Sequence, residues 1–224
     1  MRFDVLTLFP EMVEPALRSS ILGRGIAAGH FSAAVHQIRD HGIGKHRSVD
    51  DTPYGGGSGM VMRVDVLDAA ISTVRGEGRV ILMDPTGAKF DQAAAVRLAT
   101  MDHLILVCGH YEGVDARVRE NLVDECISIG DFVVTGGELA ALVVIDAVAR
   151  LLPGVLGNEN SAADESFTSG GLEYPHYTRP REYRGWEVPE ILFSGHHGNV
   201  DAWRREMAEK RTAEWRPDLA GKKA

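Results

Sequence analysis

Leu104-Ile105-Leu106-Val107-Cys108-Gly109-His110-Tyr111-Glu112-Gly113 and Ile127-Ser128-Ile129-Gly130-Asp131-Phe132-Val133-Val134-Thr135-Gly136-Gly137-Glu138 decide how this chain folds. Each drives a short apolar run into a glycine-bearing turn with an acid at its tip. A strand that stops in glycine exposes backbone N–H and C=O groups with no side chain in the way, so a flat or polar ligand can approach the main chain closely. A third run of this kind, Val80-Ile81-Leu82-Met83-Asp84-Pro85-Thr86-Gly87, lies just upstream. In open α/β sheets, ligands sit beyond the carboxyl ends of the strands, so the three loops can converge on one molecule.

Outward from that stretch, strand-like and helix-like segments alternate, which is the pattern of an α/β fold with a largely parallel sheet. Residues 1–9 read as a first strand with an internal acid. Pro10 can open a helix running to about Ala28, with Met12, Ala16, Leu17, Ile21 and Leu22 near one stripe. Residues 33–39 look like a second strand, and Arg63–Val74 and Asp91–Ala99 have helical spacing. Glu138–Leu152 is apolar nearly all round, which predicts a buried helix ended by Pro153-Gly154. The sequence divides into 1–156, a linker over 157–166, and a small, mainly helical unit over 167–224 with an amphipathic helix near Val200–Lys210.

At 224 residues, with 44% hydrophobic and 25% charged side chains, the chain can bury a sizeable core. No signal peptide and no apolar stretch of membrane-spanning length is legible, which predicts a soluble cytoplasmic protein. Cys108 and Cys126 are too few for a disulfide framework or a zinc site, and the nine histidines form no HExxH helix, so no metal ligands are assigned. Cys108, ending an apolar run, reads as a small buried hydrophobe rather than a nucleophile. The net charge is −8. Residues 167–224 carry ten Lys and Arg against nine Asp and Glu, leaving −9 on residues 1–166. A grip on RNA must therefore be local.

Two motifs fail on context. Gly23-Arg24-Gly25-Ile26-Ala27-Ala28 matches a dinucleotide fingerprint in letters but follows a helical pattern, and Gly44-Lys45 lacks both the first glycine and the hydroxyl of a P-loop. Tyr54-Gly55-Gly56-Gly57-Ser58-Gly59-Met60 sets four glycines in five residues, an entropic cost that backbone approach to a ligand would justify. Asp50-Asp51 stand just before it. Tyr174-Pro175-His176-Tyr177-Thr178-Arg179-Pro180-Arg181 interleaves cations with aromatic rings, which suits phosphate contact and base stacking as well as a solvated loop.

Pro53-Tyr54-Gly55-Gly56-Gly57 with Gly59-Met60, Cys108-Gly109-His110-Tyr111-Glu112-Gly113, Ser128-Ile129-Gly130-Asp131 with Gly136-Gly137-Glu138-Leu139, Pro153-Gly154-Val155-Leu156-Gly157 and Pro175-His176-Tyr177-Thr178-Arg179-Pro180 occur in this order. In these motifs the whole chain resembles the bacterial tRNA (guanine-N1)-methyltransferases of the SPOUT class. The resemblance implies a deep trefoil knot in the α/β domain and a homodimer with active sites at the interface. It also implies methyl transfer from S-adenosyl-L-methionine to N1 of guanosine 37, just 3′ of the anticodon of tRNA. Carried over by motif, the cofactor would lie against Leu82, Met83, Pro85 and Gly87, against Gly109, Tyr111, Glu112 and Gly113, and against Ile129, Gly130, Phe132, Val134, Gly136 and Gly137. Asp50, Gly55, Gly56, Gly57, Gly59, His176 and Arg179 would contact the RNA.

Neutral guanine carries a proton on N1, so attack from N1 calls for a base beside it and a cationic donor near O6, where charge builds. The family's arginine before the P-G-V-L-G turn corresponds to Arg150. Its base is an Asp in a D-S-F motif, whereas Glu165 precedes Ser166-Phe167 here and Asp164 stands one place earlier. Glu165 is assigned as base, with Asp164 as the substitute. The resemblance also makes Mg2+ plausible, a hard cation that prefers carboxylate and phosphate oxygens. A phosphate-handling α/β hydrolase and an RNA-binding module without catalysis are the competing readings.

Overall fold

The structure, a computed structural model, describes residues 1–157, 165–168 and 170–219. The chain clusters into two compact units, Met1–Gly157 and Asn158–Ala224. Among the described residues no helix is long and apolar enough to cross a membrane.

The first unit is built on five strands: β1 (Arg2–Thr7), β2 (Ser32–Gln37), β5 (Arg79–Lys89), β6 (His103–Cys108) and β7 (Glu125–Ser128). They form one parallel sheet in the order β2-β1-β6-β5-β7, so the expected α/β architecture is found. Side chains alternate across the sheet and make two cores. Phe3, Val5, Ile81, Leu104 and Leu106 face α1 (Pro10–Leu17), α2 (Ser20–Ala27), α4 (Gln92–Ala99) and α6 (Glu138–Ala149). Leu6, Val80, Leu82, Ile105 and Val107 face α3 (Val64–Ser72) and include Val118 of α5 (Ala116–Asn121). A short antiparallel ribbon, β3 (Asp50–Asp51) with β4 (Val61–Met62), flanks the sheet.

The acid inside β1 is Asp4, fully buried. His36 and His103 each place Nε2 2.6 Å from one of its oxygens, and Arg2 Nε lies at 2.7 Å. Burial pushes the carboxyl pKa up, but the hydrogen bonds from Arg2, His36 and His103 and the charge of Arg2 outweigh that and hold it below the usual range.

In the first unit three expectations change. The single helix over 10–28 is two helices, because the chain turns at Ser19 and Ser20, the latter at φ 51°, and α2 packs its Gly23 against the Arg18 carbonyl. The Asp84–Gly87 turn does not end its strand. β5 pairs Met83 with Ile127, detours, and returns to pair Ala88 with Ile127, so the first loop is a bulge inside the strand. The helix over 138–152 ends at Ala149, and it is not buried all round, since Leu139 and Val143, one turn apart, are 52% and 47% exposed.

In the second unit, α7 (His197–Trp215) extends beyond the 200–210 expectation at both ends. A two-residue turn at Arg184-Gly185, both at positive φ, closes the hairpin of β8 (Glu182–Tyr183) and β9 (Trp186–Glu187). Thr212 of α7 holds the chain before it by accepting the Leu172 N–H at 2.9 Å.

Candidate active site

Met83 of β5, just before its bulge, the carboxyl end of β6 and the start of α6 meet at Gly137. A β-carbon there would lie 2.7 Å from the Cys108 Cα, 3.0 Å from the Gly109 nitrogen and 3.0 Å from the Met83 Cβ. Gly137 has an ordinary φ of −76°, so it is glycine for space and not for conformation. Its N–H donates to the Gly109 carbonyl at 2.9 Å, locking the third loop onto the second.

Around this junction lies an open pocket walled by three stretches of chain. Leu82, Met83 and Pro85 supply one wall. Their loop is held by Asp84, which accepts from the Thr86 N–H at 2.7 Å, and by Arg119, whose guanidinium donates to the Thr86 hydroxyl. Gly109, Tyr111, Glu112 and Gly113 supply the second wall, with Tyr111 at φ 62°. Ile129, Phe132, Val134, Gly136 and Gly137 supply the third.

Two of the residues assigned to the cofactor do not line the pocket. Gly87 backs onto β7, where a β-carbon would meet the Cys126 carbonyl carbon at 2.5 Å, and Gly130, at φ 155°, lies under the Phe132 ring. Both shape their loops and leave contact to neighbours.

Sequence reasoning gave no role to Thr7, His110 or Glu138. Glu138 is 1% exposed, and the buried Thr7 hydroxyl donates to its Oε1 at 2.6 Å while accepting the Phe9 N–H at 2.9 Å. The imidazole of His110 packs on the Phe9 ring at 4.9 Å and lines the pocket. Its buried Nδ1 has no hydrogen-bond partner among the described residues, and it lies 2.6 Å from where a Gly136 β-carbon would sit, a point the Glu138 Oε2 also crowds. The signal that could have found Glu138 is an acid opening an otherwise apolar helix.

Cys108 is fully buried, and burial first, then the charge of Glu138, pushes its thiol well above the usual range. This removes the thiolate that a nucleophile would need.

Asp50 is half-buried and pairs with Met62 across the β3–β4 ribbon. Gly55, Gly56 and Gly57 have φ of 85°, 79° and 132°, so this exposed loop needs conformations that L side chains resist. Gly59, at φ 79°, shares that conformation, and the Glu112 carboxylate also lies over it. Met62 donates to the Gly113 carbonyl at 2.9 Å and Glu112 to the Met60 carbonyl at 3.1 Å, so the glycine loop is tied to the second wall.

Arg150 is the C-cap residue of α6, while the pocket uses that helix's other end. At 1.5 Å per residue the two ends are separated by roughly 18 Å along the axis. Glu165, His176 and Arg179 belong to the second unit. There the Glu165 carbonyl accepts the Thr168 N–H at 3.2 Å, His176 Nε2 lies 3.3 Å from Glu173, and Arg179 is exposed. Asp164 lies outside the described residues. Among the described residues no three His, Cys, Asp or Glu side chains are grouped to hold a metal ion.

Residues 1–222 match the family profile described as tRNA (Guanine-1)-methyltransferase TrmD. A curated tRNA (guanine-N(1)-)-methyltransferase of Brevibacillus brevis is 54% identical over 226 residues, covering all of this chain and 93% of the relative. One from Chloroflexus aggregans is 55% identical over 228 residues, covering all of this chain and 89% of the relative. One from Geobacter sulfurreducens is 53% identical over 225 residues, covering 99% and 92%. A profile that runs the length of the chain and relatives more than half identical over nearly all of it lead to one conclusion: this chain belongs to the tRNA (guanine-1)-methyltransferase family.

Proposed function

We propose that this chain transfers a methyl group from S-adenosyl-L-methionine to N1 of guanosine 37 in tRNA, as a cytoplasmic homodimer with a trefoil-knotted α/β domain. The observation that carries the reading is the convergence of residues 82–85, 109–114 and 127–137 on one pocket, packed together at Gly137. Apolar walls from Leu82, Ile129 and Val134 suit adenine, and Glu112 offers a carboxylate to the cofactor's ammonium.

The cofactor, when bound, supplies an electrophilic methyl group. The chain's own task is to free the N1 lone pair. Glu165, or Asp164 beside it, takes the N1 proton, and Arg150 donates to O6 as negative charge gathers there. The length of α6 supports a two-protomer site. Arg150 sits a helix away from its own pocket, and the exposed Leu139 and Val143 give α6 an apolar stripe for a partner to cover. Asp50 and the glycine loop at 55–59 hold the guanine, while His176 and Arg179 contact the tRNA from the second unit. Magnesium, if used, would take its oxygens from phosphate, water and one or two carboxylates such as Glu112, as Mg2+ commonly does.

Single-turnover transfer of labelled methyl from S-adenosyl-L-methionine to undermodified tRNA tests the reading. Glu165→Gln is expected to lower the rate by two or more orders of magnitude, as loss of a general base does. Full activity in Glu165→Gln with loss in Asp164→Asn would move the base, and no transfer by the parent protein would end the proposal.

A further inference from the structure

We propose that the turn Lys45-His46-Arg47 is a phosphate-contact surface that grips the RNA backbone beside the target guanine; this rests on the function proposed above. Residues 1–166 carry a formal charge of −9, yet no acid occurs from His41 to Val49. The cations are concentrated where the chain folds back on itself. Ile43 and Ser48 exchange backbone hydrogen bonds at 2.9 and 3.0 Å, Arg47 donates to the Gly44 carbonyl at 3.2 Å, and Gly44 and Arg47 adopt φ of 72° and 48°. The side chains from Ile43 to Ser48 all face solvent.

The turn is braced at its base. Val49 is fully buried and its carbonyl accepts the Arg63 N–H at 2.9 Å, so the cations stand on a fixed support. Lys45 and His46 make no hydrogen bond or ion pair among the described residues. Arg47 pairs with Asp40 at 3.1 Å, but both side chains are 63% exposed, and an exposed pair of this kind is readily exchanged for a stronger anion. Asp50 follows Arg47 by three residues, at most about 10 Å of extended chain. A base held by Asp50 and the glycine loop therefore puts its flanking phosphates within reach of Lys45 and Arg47. An acidic chain that must attract a polyanion needs such a local exception, and phosphate contacts position the RNA without reading its bases.

The test is a double variant, Lys45→Gln with Arg47→Gln, in the full-length protein, titrated with undermodified tRNA at several salt concentrations. Each phosphate contact contributes about 0.7–0.9 to the slope of log affinity against log salt. Two lost contacts should make the affinity loss over a fourfold rise in salt roughly tenfold smaller than the parent's. The variant should keep the parent's melting temperature and affinity for S-adenosyl-L-methionine, and Lys45→Arg should keep the parental slope. A folded double variant with an unchanged slope, or with affinity lowered equally at every salt concentration, would overturn the assignment. Failure of the parent itself to bind and methylate tRNA would instead remove the function on which the assignment rests.

Discussion

Replacing Gly137 by alanine tests whether the three loop ends must touch for the pocket to exist. The added β-carbon would lie 2.7 Å from the Cys108 Cα and 3.0 Å from the Gly109 nitrogen, and both are backbone atoms that cannot swing aside. Relief requires the third loop to withdraw by about 1 Å, to ordinary carbon–carbon separation. That movement strains or breaks the Gly137 N–H to Gly109 C=O bond, now 2.9 Å. Overpacking costs about 1–3 kcal/mol and the hydrogen bond about 1 kcal/mol, so the loss is about 3 kcal/mol. For a chain of this length that lowers the melting temperature by roughly 6–12 °C. Calorimetry would follow melting and titration with S-adenosyl-L-methionine, with Gly55→Ala as the comparison. At Gly55 nothing lies within 4 Å, so only its φ of 85° is strained and binding of the cofactor should be untouched. A Gly137→Ala protein that melts with the parent and binds the cofactor equally well would refute the reasoning.

Three further outcomes follow from the buried polar groups. Thr7→Val should cost about 2 kcal/mol in denaturant titration, because Glu138 then keeps its burial and loses a donor to a charged oxygen, whereas Glu138→Gln should cost less since its amide oxygen still accepts from Thr7; equal losses would contradict this. Asp4 has its pKa lowered in the folded protein, so its stabilisation is complete above the unfolded value near 3.9 and is lost as pH falls through and below that value. Asp4→Asn should flatten the acid limb of stability against pH, and an unchanged limb would show that Asp4 is not the group responsible. Cys108, with its thiol pKa raised well above the usual range, should resist alkylation at pH 8 in the folded protein and react on unfolding; reaction at the rate of a free thiol would contradict its burial.

The parallel sheet and most of its helices were legible because their signal is local. Apolar runs at 80–83 and 104–108 and helical spacing at 91–99 are patterns between near neighbours in sequence. Twelve of the fourteen residues that the family resemblance assigns to the cofactor line one pocket. The two that do not, Gly87 and Gly130, have the same letters and the same loops as the rest. Whether a glycine's empty side faces a ligand or a neighbouring strand depends on what lies across from it, and one chain's sequence does not encode that separately.

Tertiary structure alone decided the rest. It cut one helical stripe into α1 and α2, since a turn at Ser19-Ser20 leaves the apolar spacing nearly intact. It buried Glu138 behind the pocket through a hydroxyl 131 residues away, and it joined Asp4 to His36 and His103 across three strands. It also left Leu139 and Val143 bare on a helix whose composition reads as fully buried, because hydrophobicity records what a face prefers and not which surface covers it. Sequence determined where the backbone would be open; the fold determined what each opening faces.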